Sequence, residues 1–319
     1  MSLLAVTSVA AQADIAKELE TAQATLAAGD YTAAYQQYRQ IADQEDNPLA
    51  AFTVGLFYQL GWGRPVDQAE ACRWFAQTAE STIPAALLAH ADCLRSGARG
   101  KPDAEQAAVY YQRAADQGLP YALCNLAEMY MTGEGLEPDP KRAIELCSSV
   151  AEQGYTPAMT RTGRFYLEGD MSVQDTGMAL QWFVNGANSG DPEAMNYLGQ
   201  MMRDNQVADT SLEDARLWFE KAAALGYVPA YFPTAELYYL AEGRGENGTI
   251  AAEDLAKLYM WLQLTVQASP KQAERERASE ILEKVAQVMP ESWKPQLDQQ
   301  VDAHLQKFAS AQPTAVPAS

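Results

Sequence analysis

The residues of this chain that could do chemistry are few. Two histidines, His90 and His304, and four cysteines, Cys72, Cys93, Cys124 and Cys147, are its whole supply of imidazole and thiol. His90 and Cys93 stand three residues apart, and on one helix that spacing lets both side chains face the same way. A thiol beside an imidazole is the pairing that activates a cysteine nucleophile, but it needs a third group to orient the base, and none is evident. His90 fills the slot held by Val54, Leu126 and Leu198 elsewhere, so it reads as a partly buried packing residue. A metal knuckle needs two ligands close in sequence, as in C-x-x-C. Here no two cysteines are closer than 21 residues. The cysteines read as small core hydrophobes, and Cys124 and Cys147 could face each other across a helical hairpin and pair in an oxidising compartment. H-E-x-x-H, G-x-S-x-G and Walker patterns are absent, and no carboxylate pair stands out as acid and base. No catalytic residue, cofactor or metal is expected.

The triplet Gly133-Glu134-Gly135 invites a phosphate-loop reading. Such a loop follows a strand and offers a Lys or a helix N-terminus to the anion. This triplet lies between two helical patterns instead, and it recurs. Gly61, Gly97, Gly133 and Gly169 are spaced by 36 residues, while Gly135 has counterparts in Gly63 and, shifted, Gly100. The G-x-G is expected to be the bend of a hairpin, where φ must be positive.

What must position any site is therefore a repeat. Ala50, Ala86, Ala122, Ala158, Ala194 and Ala230 fall 36 residues apart, and Gly118, Gly154, Gly190 and Gly226 keep the same period. So do the bulky pairs Trp74-Phe75, Tyr110-Tyr111, Leu146-Cys147, Trp182-Phe183 and Trp218-Phe219. Within Leu119–Gly154, Pro120 suits a first helical turn, and Ala122, Leu126, Ala127 and Tyr130 share one helix face. "TGEG" breaks the helix. Asp139 and Pro140 restart it as N-cap and first residue, and Gly154 sits where a C-cap glycine belongs. One such hairpin cannot bury its apolar face, so neighbours must stack on it.

The pattern A-x-x-x-L-G-x-x-Y-x-x-G-x-G followed by A-x-x-W-F-x-x-A-A-x-x-G resembles the Sel-one-like repeat family, relatives of the tetratricopeptide repeats. Ala50–Gly63 and Asp214–Ala230 match it closely. The resemblance implies an all-α, right-handed α-solenoid. It is expected to comprise a tetratricopeptide-like N-terminal cap repeat (14–47), six Sel-one-like repeats (48–268), a C-terminal helical cap (269–309) and a disordered tail (310–319). It further implies a non-catalytic scaffold or adaptor whose partner is a protein or peptide held in the concave groove, in a bacterial envelope process. A regulator or inhibitor of an envelope enzyme is one alternative. A cell-wall-active hydrolase is another, although the cysteine-rich relatives for which that role is proposed pair their cysteines at short spacing in almost every repeat.

Charge narrows the partners. With 42 acidic against 23 basic residues, a formal charge of −19, the chain lacks the Lys and Arg excess that neutralises phosphates, so nucleic acid is not expected. No apolar run reaches the roughly 18 residues of a membrane span. Residues 1–13 read either as the remnant of a signal peptide ending in Ala11-Gln12-Ala13 or as a frayed Ala-rich terminus. The first reading places the protein in the periplasm or outside the cell, the second leaves it cytoplasmic.

In a solenoid of this kind the first helix of each hairpin lines the groove. Counting from the small residues Gly55, Ala91, Ala127, Gly163, Gly199 and Ala235, the groove positions lie three before, one after and four after each. The end units are apolar and aromatic there. The middle ones are polar and locally basic. Thr160, Arg164, Asn196, Gln200 and Arg203 lie on these rows, Asn125, Arg161 and Tyr197 are added beside them, and all eight are nominated as partner-binding residues. Two readings of the arginines stand. They clamp a partner's carboxylates with bidentate guanidinium bonds, or Glu128, Glu168 and Asp204 neutralise them in place.

Overall fold

The computed structural model describes residues 17–45, 47–240 and 250–309, and all regular structure among them is helical. The signal-peptide reading of residues 1–13, the tail reading of 310–319 and the insertion at 241–249 lie outside the described residues. The helices are α1 (17–27), α2 (Tyr31–Glu45), α3 (Pro48–Leu60), α4 (Gln68–Gln77), α5 (Pro84–Ser96), α6 (Ala104–Asp116), α7 (Ala122–Thr132) and α8 (Pro140–Ala151). They continue as α9 (Thr156–Glu168), α10 (Thr176–Asn188), α11 (Pro192–Arg203), α12 (Leu212–Ala224), α13 (Tyr231–Leu240), α14 (Ala252–Ala268), α15 (Gln272–Val288) and α16 (Lys294–Ala309). Consecutive helices pack as antiparallel hairpins, α3 on α4, α5 on α6, α9 on α10 and α11 on α12, and the second helix of each pair rests on the first helix of the next. This is the all-α solenoid architecture that the period implies. The chain divides into two compact units, the first ending at Leu146 and the second beginning at Cys147.

The period is written into the helix starts. Asp67, Asp103, Asp139 and Asp175 are N-caps spaced by 36, each accepting a backbone N–H three residues on at 2.9–3.1 Å. Each of these aspartates also donates its own N–H back to the preceding helix, to Tyr58, Leu94, Tyr130 and Tyr166 respectively, at 2.8–2.9 Å. Ser211, a further 36 residues on, caps α12 with a reciprocal Ser211–Asp214 box. Part of the acidic excess is thus structural capping. Pro120 does not open α7, whose first residue is Ala122. It lies in a tighter lead-in turn, in which Leu123 donates to the Pro120 carbonyl at 2.9 Å.

Size complementarity fixes the hairpin interior. A Cβ on Gly55 would stand 2.4 Å from the Phe75 ring, one on Gly163 2.7 Å from Phe183, and one on Gly199 2.8 Å from Phe219. The fully buried rings press close against the backbone of the facing helix. Where the slot holds Ala91 or Ala127, the residue at the aromatic position is Tyr111 or Cys147.

The G-x-G does two jobs. Gly133 caps α7 at φ +74° in the left-handed region. Gly135, at φ +69°, lets the loop touch the previous hairpin: an added Cβ would lie 2.4 Å from Ala104 Cβ and 2.8 Å from the Ala104 carbonyl carbon. The bend expectation holds at both glycines, since φ is positive at each, and the second glycine is in addition a contact between repeats. Unit four departs from the pattern, because Gly169 is extended at φ −71°, ψ −167°. In unit five Asn205 takes the left-handed conformation at φ +56°, as its short polar side chain permits. Gly135→Ala is expected to cost about 2–4 kcal/mol, from left-handed strain plus backbone overpacking. Gly118→Ala, at φ +99° with open space around it, carries only the strain, about 1 kcal/mol. Chemical denaturation of both variants separates the two terms, and equal losses would show that the contact contributes nothing.

Cys72 and Cys93 overturn the expectation of unpaired core thiols. Cys72 of α4 and Cys93 of α5 form a disulfide with a Cα–Cα distance of 5.6 Å, joining consecutive hairpins. Cys124 and Cys147 are disulfide-bonded as well, so none of the four is a free thiol.

In the second unit α16 is anchored by His304, which bonds the Tyr231 hydroxyl at 2.9 Å and meets the Tyr231, Trp261 and Phe308 rings at 4.9–5.9 Å. Burial, with Lys307 adding to it, holds the imidazole below its usual pKa, while burial pushes the Tyr231 hydroxyl up to about 12. The unfolded chain therefore binds the His304 proton more readily than the folded one. This contribution to stability is complete above the unfolded pKa of about 6.5 and is lost as pH falls through and below it. The melting temperature should fall between about pH 7.5 and pH 5.5, and His304→Gln should flatten that slope. An unchanged slope in the variant would assign the effect to other groups.

Candidate functional site

The nominated residues of the second unit lie on the first helices of two adjacent repeats. Thr160, Arg161 and Arg164 come from α9, and Asn196, Tyr197, Gln200 and Arg203 come from α11. Asn125 belongs to α7 of the first unit.

Two of the nominees are floor rather than surface. Thr160 is 2% exposed and its hydroxyl donates to the Asp191 carboxylate. Asp191 is also the N-cap of α11, accepting from the Glu193 N–H at 3.0 Å. Thr160 thus ties the body of α9 to the start of α11. Asn196 is 3% exposed, and its Oδ1 has no hydrogen-bond partner among the described residues.

Above this floor sits a charged aromatic cluster. Arg164 approaches Glu168 at 3.6 Å and Glu193 at 3.8 Å, within ion-pair range but beyond a good hydrogen bond. Tyr197 stacks on Phe183 with centroids 4.6 Å apart and planes 3° from parallel. Burial pushes its hydroxyl pKa well up, with Arg164 opposing and Glu168 adding to the rise. The same arrangement raises the Tyr227 hydroxyl to about 12, through burial and then the charges of Glu193 and Asp191. Glu193 is itself raised, first by burial, with Arg164 and Arg161 pulling the other way. Gln200 is half-buried. Arg203 bonds Asp204 through Nε at 2.8 Å and Nη2 at 3.3 Å.

Local neutralisation is therefore present at Glu168 and Asp204, and Glu128 pairs with Arg95 at 3.8 Å. Glu193 and Tyr227 were not among the predicted residues. Glu193 sits about one helical turn before Tyr197 on α11, so helical periodicity extended one turn would have found it. Tyr227 lies just beyond α12, outside any first-helix row.

The equivalent rows of the first unit are spent on structure. Arg95 bonds Glu134 with Nε at 2.9 Å and Nη2 at 2.7 Å, tying α5 to the loop after α7. Tyr111 donates to Asp92 at 2.6 Å, and burial followed by that carboxylate pushes its pKa well up. Asn125 Nδ2 reaches the same Asp92 at 3.5 Å. Cys93 is held in its disulfide, so the pairing of His90 with a Cys93 nucleophile is not available. His90 packs edge-on to Tyr110 at 4.6 Å, and burial lowers its pKa.

No helix among the described residues is long and apolar enough to cross a membrane. Nor do those residues contain a group of three His, Cys, Asp or Glu that could hold a metal ion.

A family model described as the Sel1 repeat matches residues 48–82, 84–119, 120–155, 156–191 and 192–227. Among solved structures, the chain is similar to a protective antigen present in uropathogenic Escherichia coli strains and displaying an SLR fold. The identity is 21% and the TM-score 0.62, over 91% of this chain. This chain spans 61% of the length of that protein. A Sel1 repeat protein from Oxalobacter formigenes is 25% identical with a TM-score of 0.59, over 83% of this chain and 98% of that one. No curated protein matches the chain.

Proposed function

The chain belongs to the Sel1 repeat family, whose repeats serve protein–protein interaction, and from that premise we propose that it is a scaffold without catalysis of its own. Its partner is a protein or peptide that docks on the α9–α11 face of the second unit. The observation that carries this reading is the Arg164–Tyr197–Tyr227 cluster, with Gln200 and Arg203 on the same first-helix rows. Tyr and Arg on a preorganised surface are the residue types that dominate interface energies. Phe183 stacking fixes Tyr197, so little rotamer entropy is lost when a partner arrives.

The ion pairs of Arg164 do not oppose this role. At 42% exposure, with carboxylates at 3.6 and 3.8 Å, each is worth about 0–1 kcal/mol, and a partner carboxylate can exchange with them. Thr160 and Asn196 lie beneath the surface, and Thr160 holds α9 to the start of α11.

Disulfide bonding of all four cysteines supports an oxidising compartment. This favours the periplasmic or secreted reading and fits an envelope process.

A photo-crosslinking residue at Gln200, compared with one at Glu213 on α12, tests the site. Adducts to a defined partner are expected from Gln200 and not from Glu213. Equal labelling from both positions, or none from Gln200, would remove this face from consideration.

A further inference from the structure

We propose that Cys93 is a thiol–disulfide exchange site for small anionic thiols, with Arg99 and Lys101 as the recognition charges. The Cys72–Cys93 disulfide is not sealed in the core. Cys72 is 2% exposed but Cys93 is half-buried, and both line a surface pocket of about 160 Å³ together with His90, Gly97, Arg99 and Lys101.

The pocket is basic in a chain of net charge −19. No carboxylate lines it, and neither Arg99 nor Lys101 forms an ion pair with a carboxylate among the described residues. His90 turns a buried Nδ1 that has no hydrogen-bond partner there. In the same unit Arg95 is matched by Glu134 and Arg113 by Glu80. Cations left unmatched beside an accessible disulfide favour an anion that carries sulfur. The loop that presents them is held by Gly97, at φ +66° with Pro102 packed where a Cβ would stand, and its N–H donates to Cys93 O at 3.1 Å.

The exchange balances without an added oxidant. The thiolate's electron pair forms a new S–S bond to Cys93 Sγ. The pair of the old bond leaves on Cys72 Sγ, which takes a proton from water. The products are a mixed disulfide at Cys93, its anionic tail between Arg99 and Lys101, and a Cys72 thiol. Attack falls on Cys93 because rates follow access to the attacked sulfur. Two cations within several Å in water are worth about a tenfold rate preference for an anionic tail.

The test uses the full protein at low ionic strength and three thiols, mercaptoethanesulfonate, mercaptoethanol and cysteamine, each corrected to equal thiolate concentration. Acid quenching, alkylation and mass spectrometry read the rate and the position of the adduct. The sulfonate thiol should open the bond about tenfold faster than the neutral one, with cysteamine slowest and the adduct on Cys93. The order should flatten in about 0.5 M salt, where the Debye length falls to about 4 Å. It should also flatten in Arg99→Glu/Lys101→Glu, and the wild-type salt series stands even if that variant folds poorly. Equal rates, an order running with cysteamine fastest as the net charge alone dictates, or an adduct on Cys72 would overturn the proposal.

Discussion

Replacing Cys72 and Cys93 with Ala is expected to lower the stability of the first unit by about 3 kcal/mol, the loop-closure entropy of a loop of roughly twenty residues. The bridge joins α4 of one hairpin to α5 of the next, so it acts on the interface between neighbouring repeats. In a repeat array such nearest-neighbour terms decide whether adjacent hairpins unfold together. The pairing adds to the existing packing of α4 on α5, two helices whose Ala71, Trp74, Phe75, Ala86 and Leu87 are buried, so the hairpins should still fold separately. Urea unfolding should therefore show an earlier and broader transition. Hydrogen exchange should place the lost protection in α4 and α5 while α9–α12 keep theirs. Chemical reduction of the native protein should reproduce the shift. A midpoint unchanged to within about 0.5 kcal/mol would mean that repeat packing alone holds this junction.

That disulfide also shows where sequence reading stops. The hairpins, their period, the capping aspartate Asp139 and the C-cap glycines are local or periodic signals, and a single chain carries several copies of each. A disulfide between Cys72 and Cys93 is a non-local event with one copy. It depends on where the second helix of one repeat meets the first helix of the next, which a 21-residue spacing does not disclose. The candidate site divides in the same way. Helical offsets from the small residues placed Arg164, Gln200 and Arg203 on first-helix rows, with Tyr197 added beside them. Burial of Thr160 and Asn196 depends on how closely α9 and α11 approach. That approach is set by Gly186, where an added Cβ would meet Ala194 and Thr160 at 2.9–3.0 Å. Glycine at 186 reads in sequence only as a weak helix residue. Arg95 carried the same row signature as Arg203, but its use is internal, because Glu134 from the next G-x-G reaches it.

Arg164→Glu is expected to weaken binding of the partner crosslinked at Gln200 by at least about 30-fold, the equivalent of about 2 kcal/mol for a central Arg hot spot. The new carboxylate would stand among Glu168 and Glu193, which now flank the guanidinium at 3.6 and 3.8 Å. An acidic partner segment would then meet three carboxylates where it had met one guanidinium flanked by two. Folding should suffer little, because pairs this exposed contribute about 0–1 kcal/mol. Arg164→Gln distinguishes charge from shape: it keeps a polar planar head and should lose only part of the affinity. Arg203→Glu, beside Asp204, should add to the loss in the double variant, and the remaining binding should strengthen rather than weaken with added salt, because like-charge repulsion is screened. Reversal of the salt dependence is the deciding readout, since a fold defect would weaken binding at every ionic strength alike. Unchanged affinity in the Arg164→Glu/Arg203→Glu protein would show that these arginines serve only the carboxylates they already touch.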